Sequence, residues 1–262
     1  MTSPLLTFVH ISDTHISANP EYGLQHSPYS TQTGAQALVK AVNNLPFPVD
    51  LVLHTGDVAY DPDPSAYETA RQIFSSLKFP IRYLAGNHDY PRELQRILLG
   101  RADAAAPFHY TFEMNGVQFI CLDSNGPAEP PRGNVISEQL AWLEALLITP
   151  DDRPLVVAIH HNALPVGSPW LDEYMRIVNG EALHQVLLKA KDRLRGVFFG
   201  HVHQNLQMYQ DGILYTSALS SWNQFYVWPG LEETIQAPDG PGFNVVTISA
   251  NQTFVRRWYY SV

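Results

Sequence analysis

Leu6-Thr7-Phe8-Val9-His10-Ile11-Ser12-Asp13-Thr14-His15 is an apolar run that stops on an aspartate and a histidine two residues apart. A short apolar run bounded by polar residues reads as a buried strand, so Asp13 and His15 fall where strand gives way to loop. Four more runs end in the same way. Thr55-Gly56-Asp57 follows Asp50 to His54, and Gly86-Asn87-His88-Asp89 follows Ile81 to Ala85. Ile159-His160-His161-Asn162 closes the run from Leu155, and Gly200-His201-Val202-His203 closes Gly196 to Phe199. In open α/β sheets ligands bind beyond the carboxyl ends of strands. Five such ends, far apart in sequence, can therefore converge on one rim.

Helical patterns lie between these runs, at Gly34 to Leu45, Asp63 to about Leu77, Pro91 to Leu99, Ser137 to Leu147 and Glu181 to Lys191. Asp63-Pro64 reads as a helix N-cap followed by proline at the first helical position, and Ser137 as a second N-cap. Val117 to Leu122 is a further strand. After His203 the pattern changes to strands without helices, at Ile213 to Thr216, Phe243 to Ile248 and Thr253 to Tyr259, while 124–134 and 226–242 are rich in Pro and Gly and read as loops. The expectation is one α/β domain over residues 1–262, mostly β at its C-terminal end, with no repeat and no linker.

The length of 262 residues suits one large domain, and 45% hydrophobic with 16% charged residues is globular composition. A net charge of −9 with no basic stretch argues against stable nucleic-acid binding, which needs clustered Lys and Arg. The one cysteine, Cys121, lies in an apolar run and reads as a buried small hydrophobe; no intrachain disulfide is possible. The first residues lack a basic and an apolar signal region, and no segment has the ~20 apolar residues that span a bilayer. The reading is a cytoplasmic protein with no membrane partner.

The residue types at the five ends specify chemistry. Two ions held close together need a ligand that touches both, and a carboxylate has two oxygens; Asp57 is the central candidate. Imidazoles and the Asn87 carbonyl oxygen complete the shells without excess negative charge. A nitrogen and oxygen set without thiolate suits Fe, Mn, Zn or Co. Two ions ~3.5–4 Å apart clamp a phosphoryl group and acidify a water towards pKa ~7. No Gly-rich phosphate loop is present.

At these residues the chain resembles the calcineurin-like, purple-acid-phosphatase-type metallophosphoesterases, and within them the class III cyclic-nucleotide phosphodiesterase and glycerophosphodiesterase branch. The likeness runs from Val9 to at least His203. It implies a four-layer α/β/β/α sandwich with two central mixed sheets. It implies one metal on Asp13, His15, Asp57 and His203, and another on Asp57, Asn87, His160 and His201, with Asp57 bridging. It also implies that His88 contacts the phosphate and protonates the leaving group, and that metal-bound hydroxide attacks a small phosphodiester, with 3′,5′-cyclic nucleotides such as cyclic AMP the expected substrates. A phosphomonoesterase acting on small organic phosphates is the alternative. The branch's usual Pro-Pro after the histidine pair is replaced here by Asn162-Ala163, which alters the contour facing the substrate. Asn87, His88, His161, Asn125, Arg132 and His26 are candidate substrate contacts. Basic residues near the blocks are few, with Arg92 after the third and Arg132 in a loop, which favours a diester over a more highly charged monoester. Trp222, Phe225, Tyr226 and Trp228 read either as packing or as an exposed patch, which would mark a homo-oligomer interface or an apolar substrate wall.

Overall fold

A computed structural model describes residues 3–61 and 63–262. In chain order the elements are β1 (Leu6–Ile11), α1 (Thr31–Asn43), β2 (Leu51–His54), α2 (Pro64–Phe74), β3 (Ile81–Tyr83), α3 (Pro91–Leu98), β4 (Tyr110–Met114) and β5 (Val117–Cys121). Then follow α4 (Ser137–Ile148), β6 (Leu155–Ala158), α5 (Pro169–Tyr174), α6 (Gly180–Leu187), β7 (Leu194–Phe199), β8 (Gln207–Gln210), β9 (Ile213–Ser217), β10 (Gln224–Phe225), β11 (Gln236–Ala237), β12 (Gly242–Ile248) and β13 (Thr253–Tyr259).

The strands form two large mixed sheets. One runs β13-β12-β1-β2-β3 and the other β4-β5-β6-β7-β9-β8. In the first, β1, β2 and β3 are mutually parallel and β12 is antiparallel to β1. In the second, β5, β6, β7 and β9 are parallel, with antiparallel β4 and β8 at the edges. The sheets face one another through a dry layer containing Phe8, Leu51 and Leu53 from one and Phe119, Val156 and Phe198 from the other. Phe8 meets Phe119 and Phe198 edge-on, with centroids 5.7 and 5.1 Å apart, the arrangement aromatic quadrupoles prefer.

The outer faces are covered by helices. Leu38 and Val42 of α1, Tyr67 and Ala70 of α2 and Leu94 of α3 pack with Val9, Ile11 and Val52. Leu143 and Leu147 of α4 and Leu183 and Leu187 of α6 pack with Ile120, Val157 and Val197. Burial on both faces explains why the parallel strands read as unbroken apolar runs rather than alternating ones. The result is the expected four layers, helices, sheet, sheet, helices.

Asp63 caps α2 as expected, accepting from Ser65 N at 2.7 Å with Pro64 at the first helical position. The expected cap at Ser137 is corrected: Ile136 precedes α4 and Ser137 is its first residue. Strands β4 and β8 are additional to the expected set. Each joins its partner through a tight turn with left-handed residues, Asn115-Gly116 (φ 51° and 75°) and Asp211-Gly212 (φ 51° and 90°). Such Asn-Gly and Asp-Gly pairs are the strongest short hairpin signal.

Candidate metal centre

Parallel pairing sends β1, β2 and β3 to one edge of the first sheet, and β6 and β7 to the same edge of the second. Their trailing residues meet. The His201 backbone N–H donates to both carboxylate oxygens of Asp13 at 3.0 Å, which ties the rims of the two sheets together. Asp57 Oδ2 lies 3.6 Å from His15 Nε2 and 3.3 Å from His160 Nε2. Asn87 Oδ1 is 3.1 Å from His160 Nε2, and Asp13 Oδ1 is 3.6 Å from His203 Nε2. All seven residues expected as ligands thus lie at one rim. Asn87 is partly exposed there and the other six are buried.

The local backbone is forced to reach this arrangement. Among the described residues, seven that are not glycine have left-handed φ, and two of those form the hairpin turns above. The other five are Asp13, His15, Asp57, His201 and His203, with φ between 44° and 68°. Side chains with a Cβ adopt this region at a cost, and such strain concentrates at functional sites. Glycines leave the necessary room. A Cβ on Gly86 would stand 2.2 Å from Asp57 Oδ1, and one on Gly200 would stand 1.9 Å from Ser12 Oγ.

Three of the four imidazoles are oriented from outside. His160 Nδ1 donates to Thr55 O at 2.8 Å, His201 Nε2 to Met175 O at 3.0 Å and His203 Nδ1 to Asn223 O at 3.0 Å. A carbonyl oxygen only accepts, so each of these nitrogens carries a proton and the other ring nitrogen faces the cluster. This is how metal-binding histidines are held. Ligand atoms of Asp13, His15 and His203 lie within 4.8 Å of one another, as do those of Asp13, Asp57 and His160. The donor set fits metal ions: imidazole nitrogens turned inward, two carboxylates and one amide oxygen, with no thiolate.

The electrostatics belong to a dry cluster of interacting charges. Burial alone would raise the Asp57 carboxyl, but His160 and His15 beside it hold it well below the usual carboxylate range. Burial would likewise lower His160, but the Asp57 charge and hydrogen bond, with Asp13 behind, push it up to about 9. His160 and Asp57 are thus a buried ion pair, in which the proton occupies the place a cation would take. Burial pushes His15 and His201 well below the ordinary histidine value, so both rings are neutral at neutral pH.

Asp89, quoted in the third block but given no role there, is the buried clamp of the rim. Its carboxylate accepts from the N–H groups of Val58, Ala59 and Gly86 at 3.0–3.1 Å and from the Tyr67 hydroxyl at 3.2 Å. It locks the loop carrying Asp57 to the loop carrying Asn87.

Above the rim opens a cleft of about 520 Å³, within the range of small-ligand sites. His15, Asp57, Asn87, His88, His201 and His203 line its floor, and Tyr22, His26, Tyr60, Trp222 and Phe225 its walls. His88 places its backbone N–H on Asp57 Oδ1 at 2.9 Å and its Nδ1 on Tyr60 O at 3.3 Å, and its Nε2 has no hydrogen-bond partner among the described residues.

Three expected substrate contacts do not reach this cleft. His161 is fully buried beneath it. Its Nε2 donates to Pro131 O at 3.1 Å and its Nδ1 accepts from Ser124 Oγ at 2.7 Å, so both ring nitrogens are committed. Burial, then the neighbouring His160 charge, pushes it down to about 3. Arg132 is exposed, lines a separate hollow with Glu173 and Arg176, and donates to Glu173 O. Asn125 is paired with Asn134 in an isolated bridge outside the cleft. His26 does line it. The aromatic residues divide: Trp222 is buried against the cleft, Phe225 stacks on His203 with centroids 4.9 Å apart, and Tyr226 and Trp228 are exposed. Tyr22 and Tyr60, also on the walls, were not singled out by the sequence pattern.

Comparison with known proteins finds a family model, relatives and solved structures that this chain resembles. The family model for calcineurin-like phosphoesterase covers residues 6–205. A 3′,5′-cyclic adenosine monophosphate phosphodiesterase, CpdA, of Pseudomonas aeruginosa is 28% identical over 242 residues, covering 92% of this chain and 85% of the relative. A 3′,5′-cyclic-nucleotide phosphodiesterase of Nostoc sp. is 28% identical over 253 residues, covering 96% and 91%. The glycerophosphodiester phosphodiesterase GpdQ of Enterobacter lignolyticus is 28% identical over 212 residues, covering 78% and 73%. Among solved structures, a purple acid phosphatase from yellow lupin superposes with a TM-score of 0.65 at 16% identity, covering 99% of this chain and 52% of the lupin chain, so the chain spans about half the length of that phosphatase.

Proposed function

The chain belongs to the calcineurin-like phosphoesterase family, and from that premise we propose that it is a dinuclear-metal phosphodiesterase acting on small diesters, with 3′,5′-cyclic nucleotides such as cyclic AMP as substrates. The family and the relatives named as phosphodiesterases make it a hydrolase of phosphoric diesters, and the His and Asp clusters suit divalent metal ions. The number of ions, the nucleophile and the substrate are the proposal.

One observation carries it: seven side chains with nitrogen or oxygen donors, from five strand ends, stand at one rim, with the His160, His201 and His203 rings oriented from outside, beneath a cleft that holds His88. Two ions bound there would supply an acidified water and a clamp on the phosphoryl oxygens. Asp13, His15, Asp57 and His203 would hold one, and Asp57, Asn87, His160 and His201 the other. Iron, manganese, zinc and cobalt all suit this set.

The chain's own groups do the rest. Asp57, between His15 and His160, sets the spacing of the two halves. His88 directs Nε2 into the cleft, where it hydrogen-bonds the ester and gives a proton to the departing oxygen. The aromatic walls exclude water from one side. Charge favours the diester: no Lys or Arg is among the described residues that line the cleft. A monoester brings about one more negative charge and commonly needs such a cation.

No described helix is long and apolar enough to cross a membrane. A cytoplasmic location, a single domain over the whole chain and the absence of stable nucleic-acid binding complete the proposal, supported by the charge of −9. The test compares kcat/KM for a diester and its matching monoester with one leaving group and one metal form. Higher values for the diester are expected. A clear preference for the monoester would move the assignment to a phosphatase of small organic phosphates.

A further inference from the structure

Aromatic rings cluster in the lining of the cleft, which also includes Asn223, Thr234 and Gln236. Tyr22 and Tyr60 lie with centroids 4.4 Å apart, Tyr22 and Trp222 5.8 Å apart, and Tyr60 stacks on His88 at 4.9 Å. The rings of His15 and Trp222 meet edge-on at 5.9 Å, so the wall rises directly from the metal-facing floor. The His26 ring stands 6.0 Å from Trp222 at the outer rim.

This wall is built rather than incidental, since two distant segments are tied together to make it. Trp222 Nε1 donates to Gly23 O at 3.2 Å, Tyr29 Oη donates to Trp222 O at 3.0 Å, and Gln236 Nε2 donates to His26 O. The indole has thus spent its one polar group on the backbone, and its remaining surface is available only for apolar or π contact. Gly23 allows this approach. It has φ +102°, and a Cβ there would stand 2.6 Å from the indole nitrogen.

A phosphodiester seated on the rim has a phosphoryl group on the floor and two substituents directed away from it. A polyol substituent laid on the ring faces of Tyr22, Tyr60 and Trp222 would lose water without recovering hydrogen bonds from those faces, at a cost. A planar heterocycle gains by stacking, which is worth enough per base to change affinity ~10-fold or more. We propose that Tyr22, Tyr60 and Trp222 form a stacking subsite for the planar base of the substrate, so that this chain selects diesters carrying a nucleobase over diesters of glycerol. The proposal rests on the phosphodiesterase reading and names the part of the site that sets its specificity.

The test uses full-length, manganese-reconstituted protein as wild type, Tyr22→Leu, Tyr22→Phe and Trp222→Leu. The quantity read is the ratio of kcat/KM for cyclic AMP to that for glycerophosphoethanolamine. The Leu variants should lower this ratio ~10-fold, chiefly through KM for cyclic AMP, while Tyr22→Phe keeps the wild-type ratio because it keeps the ring. Tyr22 is half-buried, so it decides the question even where Trp222→Leu disturbs folding. A ratio unchanged in Tyr22→Leu overturns the proposal. A second arm measures binding without turnover, titrating adenosine 5′-monophosphate against ribose 5-phosphate. Wild type should bind the nucleotide ~10-fold more tightly, and Tyr22→Leu should lose that advantage. Equal binding by wild type overturns the subsite. If wild type cleaves neither diester, the phosphodiesterase reading fails by itself and the binding arm still decides the subsite.

Discussion

His15 and His203, 188 residues apart and carried by different sheets, face each other with their Nε2 atoms 2.9 Å apart. The His203 Nδ1 proton is held by both the backbone and the side-chain oxygen of Asn223 at 3.0 Å, so its Nε2 presents a lone pair. Two ring nitrogens converging at this distance, with Asp13 and Asp57 beside them, have the form of a site in which a cation takes the place of their mutual hydrogen bond.

Asn223 should therefore matter for metal without touching it. Asn223→Ala removes one of the two acceptors that fix the His203 ring. Outer partners of ligating histidines are worth 10–100-fold in affinity. About 10-fold weaker binding is expected, since the backbone carbonyl remains. Calorimetric titration of one metal into both proteins checks this, and unchanged affinity at both sites would show that the side chain does not orient the ring.

His88 should separate catalysis from metal binding. Its backbone N–H is pinned to Asp57 while the residue lines the cleft. His88→Ala should keep the metal content and slow turnover ~10²–10⁴-fold, the range for a lost general acid. The deficit should shrink with a nitrophenolate leaving group, which departs without a proton. Equal deficits for good and poor leaving groups would leave His88 only an electrostatic role.

Two buried histidines predict acid sensitivity. His10 Nδ1 accepts from Asn244 Nδ2 at 3.3 Å and its Nε2 donates to Thr55 Oγ1 at 3.0 Å. His54 Nδ1 accepts from Gly56 N at 3.3 Å, and its Nε2 lies 3.0 Å from Thr14 Oγ1, whose hydroxyl proton goes to Val58 O. Each is bonded as a neutral ring, and burial, the largest cause, pushes both down to about 3. The unfolded chain takes up these protons near pH 6.5 and the folded chain only near pH 3, so stability is fully present above 6.5 and is lost as pH falls through that window. Urea unfolding of metal-free protein between pH 7 and 4 should show this decline. His10→Asn should reduce the slope by about one proton, ~1.4 kcal/mol per pH unit; an identical slope would remove His10 from the account.

Much of this was legible in the sequence because buried parallel strands leave a strong mark. Unbroken apolar runs ending on Asp13, Asp57, Asn87, His160 and His201 located the rim, and Asp63-Pro64 located α2. What was missed has physical causes. The edge strand β8 is mostly exposed and polar, so only Asp211-Gly212 announces it. Strand β4 is announced in the same way by Asn115-Gly116. Helix α5 has six residues, too few for a period to emerge. Arg132 and Asn125 sit in a polar loop whose path depends on tertiary contacts. His161 points away from the rim, bonded to Ser124 and Pro131, while its neighbour His160 faces Asp57 and Asn87. Tyr22 and Trp222 are 200 positions apart, and only the folded chain shows that they share a wall.

The central claim is a pair of ions bridged by Asp57, and metal content tests it most directly. Elemental analysis of protein saturated with manganese and freed of unbound ion should give about two per chain for wild type, about one for Asp13→Ala and near none for Asp57→Ala. A wild-type value of one or below under saturation, or an Asp57→Ala protein that keeps both ions, would contradict the account.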